Sequence, residues 1–207
     1  MTDAPIPASP LALVAAGFGL VTGVAAIGLG IQGEAPVTWG LGTACLLQVT
    51  PSLGLWQRIR EGLGNRGLDR ERRILRITSH LLRLLALGLA IASVLAWTGG
   101  DSTRLGVADL GLAGGAAASF LPLWLAKRRM ADLHPSLALD AGRILALAEV
   151  AALAFAGGLL GQAFSWGGSA AGLAMALRLF AEGRTLARGT TVSLVGCGGC
   201  GGGCGGG

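Results

Sequence analysis

Apolar residues fall in six long runs, and the polar residues between the runs alternate in kind. The runs are residues 11–31, 36–56, 77–97, 105–126, 141–164 and 167–187. Each approaches the roughly 20 residues that an α-helix needs to cross the hydrocarbon core of a bilayer. The first run carries no charge. The others hold isolated polar positions: Gln48 with Pro51, His80 with Arg83, Asp109, Glu149, and Arg178 with Glu182. Lipid cannot satisfy the backbone of an open strand, and no alternation of about ten residues suggests a closed barrel. The pattern therefore predicts an all-α polytopic membrane protein, a six-transmembrane-helix bundle.

The basic residues predict how that bundle is threaded. Between the second and third runs lie Arg58, Arg60, Arg66, Arg70, Arg72, Arg73 and Arg76. Between the fourth and fifth lie Lys127, Arg128 and Arg129, with Arg143 at the border, and the sixth ends in Arg184 and Arg188. The other side holds Arg104 alone. Loops rich in Lys and Arg stay in the cytoplasm, so both termini are expected there, in a multi-pass protein of the cytoplasmic (inner) membrane. Trp39, Trp56, Trp97, Trp124 and Trp166 fall near run ends, where interfacial anchors sit. Gly19/Gly23, Gly111/Gly115, Gly157/Gly161 and Gly168/Gly172 are spaced four apart and are read as faces where backbones approach closely.

Composition agrees with this picture. The chain is 207 residues long, 52% hydrophobic and 13% charged, with 37 Gly and no Tyr. A soluble domain carries about 25% charged residues. Mean hydropathy is +0.65. The net charge of +5 does not point to nucleic acid, because most Arg residues sit between apolar runs and aromatics are not interleaved with them as a nucleic-acid surface requires. Basic loops against anionic lipid explain it more simply. Residues 1–10 contain Asp3 and no Lys or Arg, so no basic signal-peptide n-region precedes the first run, which is expected to be retained.

Certain stretches resemble the membrane domain of the cation diffusion facilitator (cation efflux) family. Leu137-Ala-Leu-Asp-Ala-Gly-Arg143 is similar to that family's Leu-Arg-Ala-Asp-Ala-x-His stretch at the start of its fifth span. The run from Ala171 to Arg184 is similar to its sixth span, and Asp69-Arg-Glu-Arg-Arg73 stands where the family has a charged start to span three. The resemblance covers about residues 11–189 and implies a cation transporter that moves a divalent metal. It also implies a metal site of His or Asp pairs, spaced four apart, from spans two and five. In this register the fifth-span positions hold Arg143 and Leu147, and the second-span positions hold Leu46 and Thr50. None is a usual Zn2+ ligand, and Arg143 repels cations. Residues 189–207 are too few to hold the carboxy-terminal cytoplasmic domain common in that family, so no counterpart of it is expected.

Charge inside a membrane is costly and marks candidate sites. Glu149 is the candidate for an ion or proton path, with Gln48 and His80 as further members. Alternatively Glu149 is a protonated or Arg-paired carboxyl that fixes helix packing. Arg178 and Glu182 share a helix face at i, i+4, and a pair between Arg178 and Glu149 is open. His134 precedes Pro135 and carries less weight. Thr43, Gln48 and Thr50 make a weakly polar stripe near Pro51, of the kind that usually forms interhelical hydrogen bonds. No phosphate loop, nucleophile elbow or Ser-His-Asp set is visible, and no enzyme is expected.

Residues 189–207 read as a flexible, disordered Gly/Cys-rich tail beyond a 1–188 membrane domain. Cys197, Cys200 and Cys204 lie within its last eleven residues, in the reducing cytoplasm by the expected threading. C-x2-C followed by a third Cys makes a soft thiolate set for a thiophilic ion such as Zn2+ or Cu(I). An unordered terminus and a substrate for thiol modification are the alternatives. As a Gly-rich coil the tail reaches about 25 Å. Two functions follow: a cation transporter or metal-handling protein whose tail captures thiophilic ions, or a non-transporting structural or accessory subunit. The expected partners are the lipid bilayer and a homodimer or larger membrane complex.

Overall fold

The computed structural model describes residues 8–60, 68–99, 105–129 and 135–195. It is an all-α bundle: α1 (Ala8–Gln32), α2 (Pro36–Arg60), α3 (Leu68–Gly99), α4 (Val107–Arg128), α5 (Pro135–Ala163) and α6 (Gly167–Val195). The shortest, α4, has 22 residues. At about 1.5 Å per residue it spans about 33 Å, enough to cross a hydrocarbon core of about 30 Å.

Four helices are long and apolar enough to cross a membrane by themselves: Pro10–Gln32, Arg72–Gly99, Val107–Arg128 and Ala138–Ala163. The protein is an integral membrane protein on this ground. α2 and α6 fall short for separate reasons. α2 sits at the centre, against every other helix, so its Thr38, Gln48 and Ser52 are buried in protein and not in lipid. α6 carries Arg178, Glu182 and Arg184. Three-residue turns at 33–35 and 164–166 fold these helices back along α1 and α5 through the same thickness. Glu34 in the first turn adopts φ 48°, the left-handed conformation that a reversal this tight requires.

Helices consecutive in the chain, and the α3/α6 pair, run antiparallel, while α4 and α6 lie parallel to the central α2. Gly54 faces Ile74 while Gly40 faces Leu89, and Gly183 faces Ser79 while Gly172 faces Ser93. This up-and-down order gathers the described basic residues of α2, α3, α4 and α6, Arg178 apart, at one end, hereafter the basic end. Trp56 and Trp124 mark that end, each with a guanidinium over its ring: Arg60 at 5.0 Å and Arg128 at 5.2 Å. Trp39, Trp97 and Trp166 mark the other, or turn, end. The core between them is built on Leu41, Leu82, Leu89, Phe120, Val150 and Met175, all fully buried.

The glycine pairs divide into two kinds. A Cβ on Gly42 would lie 2.7 Å from the carbonyl oxygen of Gly23, so only hydrogen at both positions allows α1 and α2 to close. Gly157 is held equally tightly by Ala171 of α6. Gly111 and Gly115 face open space instead. The helices also exceed the apolar runs. α3 begins nine residues before run three, because its charged first turns extend beyond the apolar thickness. α6 continues to Val195, so residues 189–195 prolong the helix.

Candidate functional site

Six of the charged side chains within the bundle form two linked groups. The deeper group is centred on Asp140, in the second turn of α5. Its carboxylate accepts Lys127 Nζ from the end of α4 and, at 2.8 Å, Nη2 of Arg143. Ser52 Oγ of α2 donates to the same carboxylate at 3.4 Å. Side-chain exposures of 6% for Lys127, 1% for Asp140 and 5% for Arg143 leave no room for solvent. One acid thus ties α2, α4 and α5 together at the basic end. Nε and Nη1 of Arg143 are buried and find no hydrogen-bond partner among the described residues.

The second group lies nearer mid-depth, between α5 and α6. Arg178 Nε donates to Glu149, and its Nη1 donates to Glu182 at 3.3 Å. The i, i+4 spacing puts Arg178 and Glu182 on one face of α6, and the antiparallel hairpin brings Glu149 across to it. Arg143 lies near enough to Glu182 for their charges to interact, which couples the two groups. Exposure separates them. Glu182 is 9% exposed at its side chain, but Arg178 is 27% and Glu149 43% exposed. The half-exposed pair lies on the perimeter of the bundle. Ala152, Ala156 and Ala181 are exposed beside it, at i+3 and i+7 from Glu149 and i+3 from Arg178.

Chemically, three bases meet three acids. Every one of these carboxylates is already engaged by Lys or Arg. A carboxylate that binds a cation or relays a proton must give up such a partner, and the neighbouring guanidinium opposes an incoming cation. No group of three or more His, Cys, Asp or Glu side chains that could hold a metal ion occurs among the described residues.

The structure does not bring the sequence-predicted path together. Glu149 pairs with Arg178, the arrangement left open by the sequence. Gln48 is 4% exposed on α2, and its Oε1 has no partner among the described residues. His80 is exposed on α3, where it lines a groove against α6 that Glu149 does not reach. The polar stripe on α2 is not an interhelical network either: Thr43 Oγ1 donates to Trp39 O of its own helix at 2.9 Å, and Thr50 is exposed. His134, Cys197, Cys200 and Cys204 lie outside the described residues.

Sequence reasoning missed Asp140 and Lys127 as functional positions. A signal was present: Asp140 and Arg143 at i, i+3 place opposite charges on one face at the start of an apolar run. Lys127 closes the preceding run and enters from a neighbouring antiparallel helix. What was not visible is that the fold buries all three.

No protein-family model, no curated protein and no solved structure matches the chain.

Proposed function

We propose that this protein is a non-transporting membrane subunit: a structural or accessory component that packs against a partner in the bilayer. The half-exposed Glu149–Arg178 pair carries this reading. A charge facing lipid is expensive. A pair left partly uncovered at mid-depth, among small residues that admit a close helix, is the surface a second membrane helix covers. The positive-inside rule orients the subunit with its basic end in the cytoplasm. The bundle is then a repurposed form of the cation diffusion facilitator membrane domain, in which Arg143 and its Asp140 partner occupy the region of the family's metal site.

Purification in a mild detergent tests the proposal. The expected result is a stoichiometric partner, or a second copy, that cross-links to Cys placed by Ala152→Cys or Ala181→Cys. A lone monodisperse protomer, with no cross-link from either position in native membranes, overturns it.

A second reading rests on Cys197, Cys200 and Cys204, whose spacing suits a thiophilic ion. In this reading the subunit also handles metal, through the tail and not through the bundle. Stoichiometric Zn2+ or Cu(I) binding that disappears in the Cys197/Cys200/Cys204→Ser triple variant supports it. Unchanged binding in that variant overturns it.

A further inference from the structure

A groove of about 630 Å³ runs between α3 and α6, and Glu149 is not part of its lining. Its volume is that of a small-molecule site, about 300–1,000 Å³. Its walls are apolar and open outward: Leu84, Leu87, Leu177 and Phe180 line it at 64%, 59%, 73% and 46% exposure. Along α3 it extends from His80 to Ala90, ten residues or about 15 Å. That is about half of a 30 Å hydrocarbon core, the depth of one leaflet.

The chemistry changes at the basic end. His80 and Arg83 are the polar residues of the lining, and no acid contributes to it. Arg83 is held in place: its Nη2 donates to Gly183 O at 3.2 Å, and Ser79 Oγ donates to the same carbonyl at 2.7 Å. Its Nε is buried and finds no partner among the described residues. Arg76, one turn before His80 on the same face of α3, and Arg184, next to Gly183 on α6, are both exposed toward that end. The nearest acid of α6, Glu182, is buried and engaged by Arg178. The groove thus has an apolar body one leaflet deep and, among the described side chains, a basic mouth at headgroup level.

From this complementarity we infer that the α3/α6 groove is a specific site for an anionic phospholipid. One acyl chain lies along Leu84, Leu87, Leu177 and Phe180. The phosphate sits at His80 and Arg83, with Arg76 and Arg184 adding long-range attraction. Basic pockets between transmembrane helices at the positive side of a membrane bind anionic headgroups by this combination. The apolar groove supplies the depth that a surface patch of Arg lacks.

Native mass spectrometry of the full chain, released from nanodiscs of phosphatidylcholine with graded phosphatidylglycerol, tests the site. Wild type is expected to retain phosphatidylglycerol in preference to phosphatidylcholine at one lipid per chain. Arg83→Gln is expected to lower that preference about fivefold, the effect of about one basic contact. Ala90→Phe, which fills the deep end without touching Arg83, is expected to lower retention of both lipids. Leu177→Trp, at an exposed position, repeats the steric test should either variant fail to fold. Equal retention of the two lipids by wild type overturns the inference. So does retention unchanged in Arg83→Gln and in both filled-groove variants, and so does displacement by glycerol phosphate as strong as by intact phosphatidylglycerol, which would mark a simple anion site.

Discussion

Replacing Asp140 with Ala removes the one carboxylate shared by Lys127, Arg143 and Ser52, and leaves two cations buried at 6% and 5% exposure. Neither has another acid in direct contact among the described ion pairs. Breaking a buried pair by deleting one partner costs about 3–5 kcal/mol, because a charge is left without water or counter-ion. Asp140→Ala strands two such charges, so the upper end of that range, about 5 kcal/mol, is expected. A contrast separates stranded charge from lost packing. The triple variant Lys127→Met/Asp140→Leu/Arg143→Met removes all three charges at similar volume, and such replacements are about neutral or stabilising. The triple is therefore expected within about 1 kcal/mol of wild type, far from additive. Reversible unfolding in mixed micelles by added SDS, followed through the five tryptophans, reads both values. A cost below about 1 kcal/mol for Asp140→Ala, or a triple variant worse than the single, would refute the clamp.

Other perturbations discriminate further. Arg178→Met leaves Glu182 buried without its base and is expected to cost about 3 kcal/mol in the same assay, whereas Glu149→Gln leaves Arg178 paired with Glu182 and should cost about 1 kcal/mol or less, the usual worth of one interhelical polar contact in a membrane. Gly42→Leu pushes a side chain into the Gly23 backbone and is expected to cost about 3 kcal/mol. Gly111→Ala meets open space and should be neutral or stabilising by up to about 1 kcal/mol. Ser79→Ala removes one of two donors to Gly183 O, and because Arg83 keeps the carbonyl satisfied, a loss of about 1 kcal/mol is expected.

The architecture was legible because lipid makes hydrophobic run length decisive. Six runs became six helices, and the starts of α2 and α6, at Pro36 and Gly167, coincide with the starts of their runs. The other ends were less visible. Charged turns such as Asp69-Arg-Glu-Arg-Arg73 continue α3 outside the apolar thickness, where hydropathy carries no signal. The Gly19/Gly23 pair could be read as a packing face, but Gly111/Gly115 has the same spacing and packs on nothing among the described residues. Spacing alone cannot distinguish a face turned inward from one turned outward. The site was legible only in part for a related reason. Arg178 and Glu182 advertise their contact through i, i+4 spacing. Lys127 and Asp140 meet across two helices, and Gln48 and His80 share a chain but no site.

The central claim is that the charges inside this bundle are clamps and not steps on an ion path. Flux into proteoliposomes tests it most directly, with Zn2+, Mn2+ and proton indicators inside sealed vesicles and an outward or inward gradient imposed. The expected result is uptake equal to that of protein-free vesicles for wild type and Glu149→Gln alike. Saturable uptake by wild type that Glu149→Gln abolishes would contradict the claim.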